Sequence, residues 1–436
     1  MKKYIVKGDL SGIQNFIFDV KSDGAAKELK KRSIYITELT KKLLNEDKER
    51  FNNNFNVIYD GGGNYFVEFD SDEDVEKIND YFQVKSTNYI QDDILPFFAV
   101  APYENSFSQA MQDVNIEMLK VKQRRKIPLI PYQYQEKKVD EIKKGNGINY
   151  HFPKNSEGVP LDFDKMAERG LGDDKLAALK IDVDHLGMVF RNREKEEYKA
   201  LSSSLTRFFD EDLLRLIKSN DYSDQVYVVF SGGDDCFLIG CWHTMIHLAV
   251  KIRDAFSELN DNLKSQVSSL ESEITLSAGL TIFPPKYPIK QIAEEAESFL
   301  NKAKREGRNK ITLFGYALSW DDYRSVLELN DQLFDLVKKG ESKNLIHRVR
   351  SSELGYLSIQ NRIKNRGLLD LPKVWKLKYY LRNVKKDNLP EVEKLFNDYS
   401  KSLIDDFMAK EIRTNPIKYP IAARLTELLL KNKNYE

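Results

Sequence analysis

Ser231-Gly232-Gly233-Asp234-Asp235 lies between two apolar segments, Gln225 to Phe230 and Cys236 to Cys241, each with the length and composition of a short strand. Glycines let the backbone turn tightly and approach a bound phosphate chain, and adjacent carboxylates at a hairpin supply hard oxygen ligands for Mg2+ or Mn2+. On its own the motif can also be a turn and nothing more. A second source of acids, Lys180-Ile181-Asp182-Val183-Asp184, ends the strand expected beside this hairpin. Carboxylates from the two sources would converge on a pair of cations, which polarise an α-phosphate, lower the pKa of an attacking 3′-hydroxyl and stabilise pyrophosphate as it leaves. Asp182, Asp234 and Asp235 are thus the candidate catalytic residues and metal ligands, with the Val183 carbonyl beside them. Asp184 shares the strand face of Asp182 and is either a further ligand or a solvated acid at the strand end. Ser231, Gly232 and Gly233 fall to the nucleotide.

A third element, Ala303-Lys304-Arg305-Glu306-Gly307-Arg308-Asn309, closes a helical pattern. If the helix extends that far, Lys304 and Arg308 form an i, i+4 pair able to reach one triphosphate. The alternative is a basic last turn that complements the helix dipole, stopped by Gly307.

Working outward, the hydrophobic pattern repeats. Tyr4 to Leu10 alternates as a strand, Ala25 to Leu44 has helical spacing, Asn56 to Tyr59 and Tyr65 to Phe69 flank a glycine turn, and a helix near Asp72 to Phe82 precedes a strand at Ile94 to Val100. That is a β-α-β-β-α-β unit, the ferredoxin-like order. The same order returns in Leu176 to Val183, Lys199 to Lys218, the hairpin, Met245 to Leu259 and Ile274 to Phe283, lengthened by a helix Ile289 to Lys304 and a closing strand Ile311 to Phe314. An irregular stretch between them contains Pro128, Pro131, Gly145 and Gly147. After Trp320 apolar positions such as Val326, Leu333, Leu357, Ile363 and Leu425 recur at helical spacing. The expected class is α+β: a first ferredoxin-like unit in 1–117, a connecting segment in 118–172, a second unit in 173–319 and a helical bundle in 320–436.

The second unit resembles a GGDEF-type or CRISPR-polymerase palm, and the first unit separates the two. Lys7-Gly8-Asp9-Leu10-Ser11-Gly12-Ile13-Gln14-Asn15-Phe16-Ile17-Phe18 resembles the opening of the large subunit of type III CRISPR effector complexes. Tyr59-Asp60-Gly61-Gly62-Gly63-Asn64-Tyr65-Phe66 resembles that family's first-palm hairpin, which lacks metal-binding acids. The resemblance covers about Met1 to Trp320 and implies a division of labour. The second palm holds the metals, while Gly61, Gly62 and Gly63 offer backbone N–H groups to a phosphate and Ser11 and Gln14 contact base or ribose. Two ATP molecules would meet between the palms and be joined into cyclic oligoadenylate. The resemblance further implies partners: CRISPR RNA and target RNA in an effector complex, a repeat-containing subunit at the crRNA end, and small helical subunits docked on the C-terminal helices.

The departures are informative. The sequence opens directly on the first palm and has no His-Asp doublet, so DNA cleavage by the family's HD nuclease domain is not expected. Its two cysteines, Cys236 and Cys241, cannot build the zinc element common between the palms and read as core residues. His243 and His247 have a metal-ligand spacing but no evident third ligand. A diguanylate cyclase and an inactive scaffold subunit are the competing functions; the first would pair two identical palms, and the second would not need Asp182, Asp234 and Asp235.

Composition bounds the rest. The 436 residues are 41% hydrophobic and 31% charged, and Lys plus Arg balance Asp plus Glu at 68 each, so any nucleic-acid contact must be local. The best local candidate for phosphate is Lys120, Lys122, Arg124, Arg125 and Lys126. No apolar run is long enough for a membrane span, and a cytoplasmic location is expected.

Overall fold

The computed structural model describes every residue except 21–23, 91–92, 105, 125–150, 267–272, 353–374, 410–412 and 432–436. The first palm comprises β1 (Lys2–Ser11), α1 (Ile13–Phe18), α2 (Ala25–Arg50), β2 (Asn56–Gly61), β3 (Asn64–Ser71), α3 (Val75–Asn88) and β4 (Leu95–Pro102). Its antiparallel sheet runs β2-β3-β1-β4, the ferredoxin-like order. A helix α4 (Phe107–Gln123) lies on the other face from α2 and α3, and the short α5 (Phe163–Ala167) precedes the second palm. The Ser106 hydroxyl caps α4 by accepting from the Gln109 amide at 3.2 Å, and the helix continues past position 117.

The second palm repeats the plan with β5 (Leu176–Val183), α6 (Leu186–Val189), α7 (Lys195–Arg207), α8 (Leu213–Ser219), β6 (Val226–Gly232), β7 (Asp235–Cys241), α9 (Trp242–Gln266), β8 (Leu276–Phe283), α10 (Ile289–Arg305), β9 (Lys310–Leu313) and β10 (Tyr316–Ser319). Its sheet is β10-β9-β8-β5-β7-β6, with β9 parallel to β8. Two features differ from the sequence expectation. The helix expected over Lys199 to Lys218 is split by a π-turn at Phe208–Asp212, and β10 follows the strand expected to close the sheet. Phe314 and Gly315, both at positive φ, make that last reversal.

A two-layer ferredoxin-like unit leaves part of one sheet face bare. Here each palm closes the other's. Helices α1 and α2 pack on Tyr227, Val229, Phe237 and Ile239 of the second sheet, and Tyr198 of α7 packs on Phe66 of the first. Phe18 meets Phe237 edge-on with ring centroids 4.7 Å apart, and the Tyr227 hydroxyl donates to the Ala26 carbonyl at 2.7 Å.

The C-terminal region begins with α11 (Trp320–Lys338) and α12 (Asn344–Ser351) and continues with helices Trp375–Tyr380, Leu389–Ala409 and Lys418–Leu429. Leu357 and Ile363 lie outside the described residues. The helices share one hydrophobic core with the second palm: the Trp320 indole donates to the Leu276 carbonyl at 3.1 Å and the Tyr323 hydroxyl to the Ile246 carbonyl at 3.0 Å. Removing everything after Ser319 would therefore strip the palm itself. Among the described residues no helix is long and apolar enough to cross a membrane. Cys236 and Cys241 are both buried in the core.

Phe237→Ala removes a fully buried ring from the palm–palm seam and should destabilise the protein by about 3–5 kcal/mol. Urea unfolding checks this; an unshifted midpoint would mean that the seam does not hold the palms together.

Candidate active site at the junction of the palms

Two hairpins meet tip to tip. In the first palm Gly61 pairs with Asn64, and Gly62 and Gly63 have φ of +61° and +82°, the signature of a type I′ turn. In the second Gly232 pairs with Asp235, and only Gly233, the first central residue, has positive φ, at +68°. Both hairpins carry a bulge just before the turn, at Val57/Tyr59 and Val228/Phe230. A Cβ at Gly61 would lie 3.3 Å from the Gly233 nitrogen, and one at Gly233 would lie 2.4 Å from the Tyr59 hydroxyl oxygen. Main chain thus faces main chain here because side chains have no room.

Asp182 and Asp235 are cross-strand neighbours in register, and the Val183 amide donates to the Asp234 carbonyl at 3.0 Å, which draws all three acids to one sheet end. Burial, then the neighbouring charges of Asp234 and Asp182, push Asp235 up to about 8. Asp234 is pushed up to about 6 by burial and by Asp182. Burial also raises Asp182, against the pull of Lys304, whose ammonium sits 2.5 Å from its Oδ1. Among the described residues no three His, Cys, Asp or Glu side chains form a ready metal cage. The donor set nevertheless fits magnesium, which binds through one or two carboxylates together with substrate phosphates, and its crowded negative charge is what a divalent cation relieves.

Asp184 is not a solvated acid at the strand end. Its buried carboxylate accepts from Thr275 Oγ1 (2.8 Å), Ser277 Oγ (2.7 Å) and the Asn309 amide (3.0 Å), so it braces the loop after α10. That loop also corrects the expected helical pair. Helix α10 stops at Arg305, and Gly307, Arg308 and Asn309 all have positive φ, so Arg308 leaves the helix face that carries Lys304.

Two cavities flank the junction. The first, of about 590 Å³, is lined by Gln14, Gly61, Gly62 and Gly63, by Ser33, Thr37 and Thr40 of α2, and by Ser231, Gly232 and Asp235. The second, of about 640 Å³, is lined by Lys7, Asp9 and Asn64, by Tyr198 and Ser202 of α7, and by Gly233 and Asp234. Either volume suits a nucleotide. Ser231 lines the first cavity while its hydroxyl donates to the Phe209 carbonyl at 2.6 Å. Ser11 lines neither; its hydroxyl donates to Asp9 at 3.1 Å. Asp182, Lys304 and Arg308 also lie outside both linings.

Sequence reasoning missed Asp210, which the π-turn presents to the first cavity beside Asp60; burial and Asp60 push it up to about 6. The only available signal was the acid run Asp210-Glu211-Asp212 inside an amphipathic helix. In the basic cluster, Lys120 pairs with Glu117 on the surface and Lys122 turns back to Asp9, while Arg125 and Lys126 lie outside the described residues. The His243 and His247 rings meet edge to face within α9, where burial pushes His243 down to about 4.

With this geometry in hand, comparison with known proteins is direct. Residues 175–312 match the model of the Cas10/Cmr2 second palm domain, and residues 2–141 match domain B of the Csm1 subunit. The chain is a two-palm protein. Over these stretches it is similar to the Cas10/Csm1 homologues of type III CRISPR systems. Similar curated relatives are the subtype III-A Cas10/Csm1 single-strand-specific deoxyribonucleases of Enterococcus italicus, 33% identical over 34% of this chain and 18% of that protein, and of Streptococcus thermophilus, 22% identical over 76% of this chain and 56% of that protein. The matches thus span well under two thirds of these relatives' length. The fold is that of Csm1 from T. onnurineus, with a TM-score of 0.73 at 19% identity over 99% of this chain and 70% of that one. A Csm1–Csm4 cassette in complex with cA4 superposes with a TM-score of 0.71 at 17% identity, covering 98% of this chain and 70% of the other.

The raised acids set a pH dependence. A carboxyl that holds its proton more tightly folded than unfolded stabilises the fold at acid pH, and that contribution is lost as pH rises through its folded pKa. The metal-free protein should therefore lose thermal stability between about pH 4 and about pH 8, where the unfolded chain has released protons that Asp234, pushed up to about 6, and Asp235, pushed up to about 8, still hold when folded. Asp235→Asn should flatten most of that slope in melting curves, and an equally steep slope in the variant would exclude Asp235 as its source.

Proposed function

We propose that this chain joins ATP molecules through 3′-5′ phosphodiester bonds and releases cyclic oligoadenylate messengers, acting in a type III CRISPR effector complex when target RNA is bound. One observation carries the reading: two glycine hairpins face each other, each beside a nucleotide-sized cavity, and only the second carries acids, Asp234 and Asp235, where the first has Gly63 and Asn64. Two substrates can meet there, with the chemistry confined to the second palm. Related Csm1–Csm4 cassettes in complex with AMPPNP, ATP, pppApApA, cA3 and cA4 share this fold and support the substrate class. They also support a Csm4-like subunit as partner, beside crRNA, target RNA and a small helical subunit.

In this scheme Asp182, Asp234 and Asp235 hold divalent cations, with the Val183 carbonyl beside them. Bound magnesium supplies Lewis-acid polarisation of the α-phosphate and a lowered pKa for the 3′-hydroxyl. The glycine tips admit both nucleotides, and Lys304 places a positive charge where pyrophosphate departs. The new bond joins the 3′-oxygen to the α-phosphorus, the bond to the β-phosphate oxygen breaks, and the hydroxyl proton passes to solvent. A diguanylate-cyclase arrangement is disfavoured, because the first palm occupies the face that a second identical catalytic palm would need.

Replacing Asp234 and Asp235 together with Ala should lower oligoadenylate formation from ATP by on the order of a hundredfold or more in the target-RNA-bound complex, with the fold retained. Mass spectrometry of the products checks this, and Asp182→Ala should behave alike. Undiminished product from the double variant would sink the assignment. Gly62→Leu, which places a side chain 3.5 Å from the Gly232 carbonyl at positive φ, should raise the KM for ATP several-fold. Wild-type kinetics would make the first hairpin structural only.

A further inference from the structure

One charge in the first palm lies where an apolar side chain would be expected. Glu68 of β3 is flanked by Ile5 of β1 and Asn56 of β2, on the sheet face that carries Phe66 and the apolar side of α4, and it is 3% exposed. A carboxylate buried there costs more than an apolar side chain of its size unless a cation meets it. The cation comes from the other palm. The Lys195 ammonium, on the first residue of α7, donates to Glu68 Oε1. Asn56 Nδ2 donates to the same oxygen at 2.7 Å, and its Oδ1 accepts from Lys199, one turn further along α7, at 3.2 Å. Lys3 stands 3.4 Å from Oε2. Burial alone would raise the Glu68 carboxyl, but Lys195 and Asn56 outweigh it and hold the group below the usual carboxylate range.

What this clamp holds is a cavity wall. Tyr198, Ser202 and Leu205 of α7 line the second cavity, as do Phe190, Asn192 and Arg193 of the loop before it, whereas Glu68 lines neither cavity. The stretch belongs to the second palm in sequence but leans on the first. Tyr198 meets Phe107 edge-on with ring centroids 5.5 Å apart, the Gln112 side chain of α4 donates to Asn192 at 3.0 Å, and none of α6 is buried. Apolar contact is non-directional and lets a helix slide a little, while a charge-assisted hydrogen bond has one preferred geometry. The ionic contact thus fixes α7 along its axis where the rings alone would not.

We propose that Glu68 is a positioning residue for the second cavity: through Lys195 and Asn56 it sets the place of α7, and with it the spacing between the second-palm wall and the first palm that a nucleotide requires. It acts without touching the ligand. That the ligand is ATP rests on the synthase reading, whereas the clamp rests on the contacts alone. The proposal also accounts for the burial of a charge at this place. An apolar residue at position 68 would join the palms as firmly, but it would leave the wall free to shift.

The test has two arms. In the target-RNA-bound complex Glu68→Gln, which keeps the shape and removes the charge, should raise the KM for ATP about tenfold, the scale of one charge-assisted hydrogen bond, and leave kcat unchanged. A merely structural role would instead lower the active fraction, and so kcat, at constant KM. Lys195→Met, at a partly exposed residue, should reproduce the KM effect even if Glu68→Gln folds poorly, and Lys195→Arg should keep the wild-type value. The double variant Glu68→Gln/Lys195→Met should be no worse than the weaker single, because both remove one contact. The second arm is amide hydrogen exchange of the full chain without nucleotide: in both single variants residues 190–205 should exchange faster while β5 and β7 stay protected. A wild-type KM, additive effects in the double variant, or exchange in 190–205 as slow as in wild type would overturn the proposal. Faster exchange there in a protein that turns over no ATP would uphold the clamp and refute the synthase reading instead.

Discussion

Everything at the candidate site depends on the mutual burial of two sheet faces. A ferredoxin-like unit with helices over only part of its sheet must find a cover for the remaining apolar surface. In this chain α1 and α2 cover the second sheet and α7 covers the first, through Phe18, Phe237, Tyr227, Phe66 and Tyr198. That reciprocal packing fixes the orientation of each sheet and brings the two hairpin tips into contact. The glycines follow from this contact, since any Cβ at Gly233 would collide with Tyr59. The cavities then lie on either side of the contact, the first walled by α1, α2 and the π-turn, the second by α4 together with α6 and α7, and each by the hairpins of both palms.

Within this nearly symmetric frame, a few positions carry the functional difference. Strand registers, bulges, helix lengths and the lysine–aspartate pairs repeat, while the hairpin acids do not. The fold therefore repeats one frame twice, and the identities of residues 63, 64, 234 and 235 decide which copy carries the paired acids at its hairpin tip. Asp184 and Asn309 show a further layer. A buried carboxylate, not exposed charge, holds the loop that ends α10, and with it the end of the helix that positions Lys304 against Asp182.

Much of this was legible in the sequence because it is local. The doubled β-α-β-β-α-β order, the two glycine hairpins and the acid-ended strand are set by hydrophobic period and turn chemistry, which a few neighbouring residues specify. The misses are non-local. Whether Asp184 is solvated depends on Thr275 and Ser277 of an adjacent strand, and the position of Arg308 depends on a run of positive φ that ordinary residues rarely adopt. Asp210 was hidden because a π-turn shifts the helix face by one residue without disturbing the amphipathic pattern. The C-terminal helices were recognised as helices, but their period could not show that they complete the second palm's core.

The interlocked palms also bear on how the chain is made. Phe18 and the inner face of α2 leave the ribosome long before Phe237 and Tyr227, which cover them in the finished protein. At ordinary rates of elongation that interval is on the order of ten seconds or more. Through it, the first palm presents an uncovered apolar face and the bare edge of β2 to the cell. Such a nascent intermediate is a natural client for a chaperone that shields hydrophobic surface, and slowing synthesis over the second palm should increase its loss to aggregation.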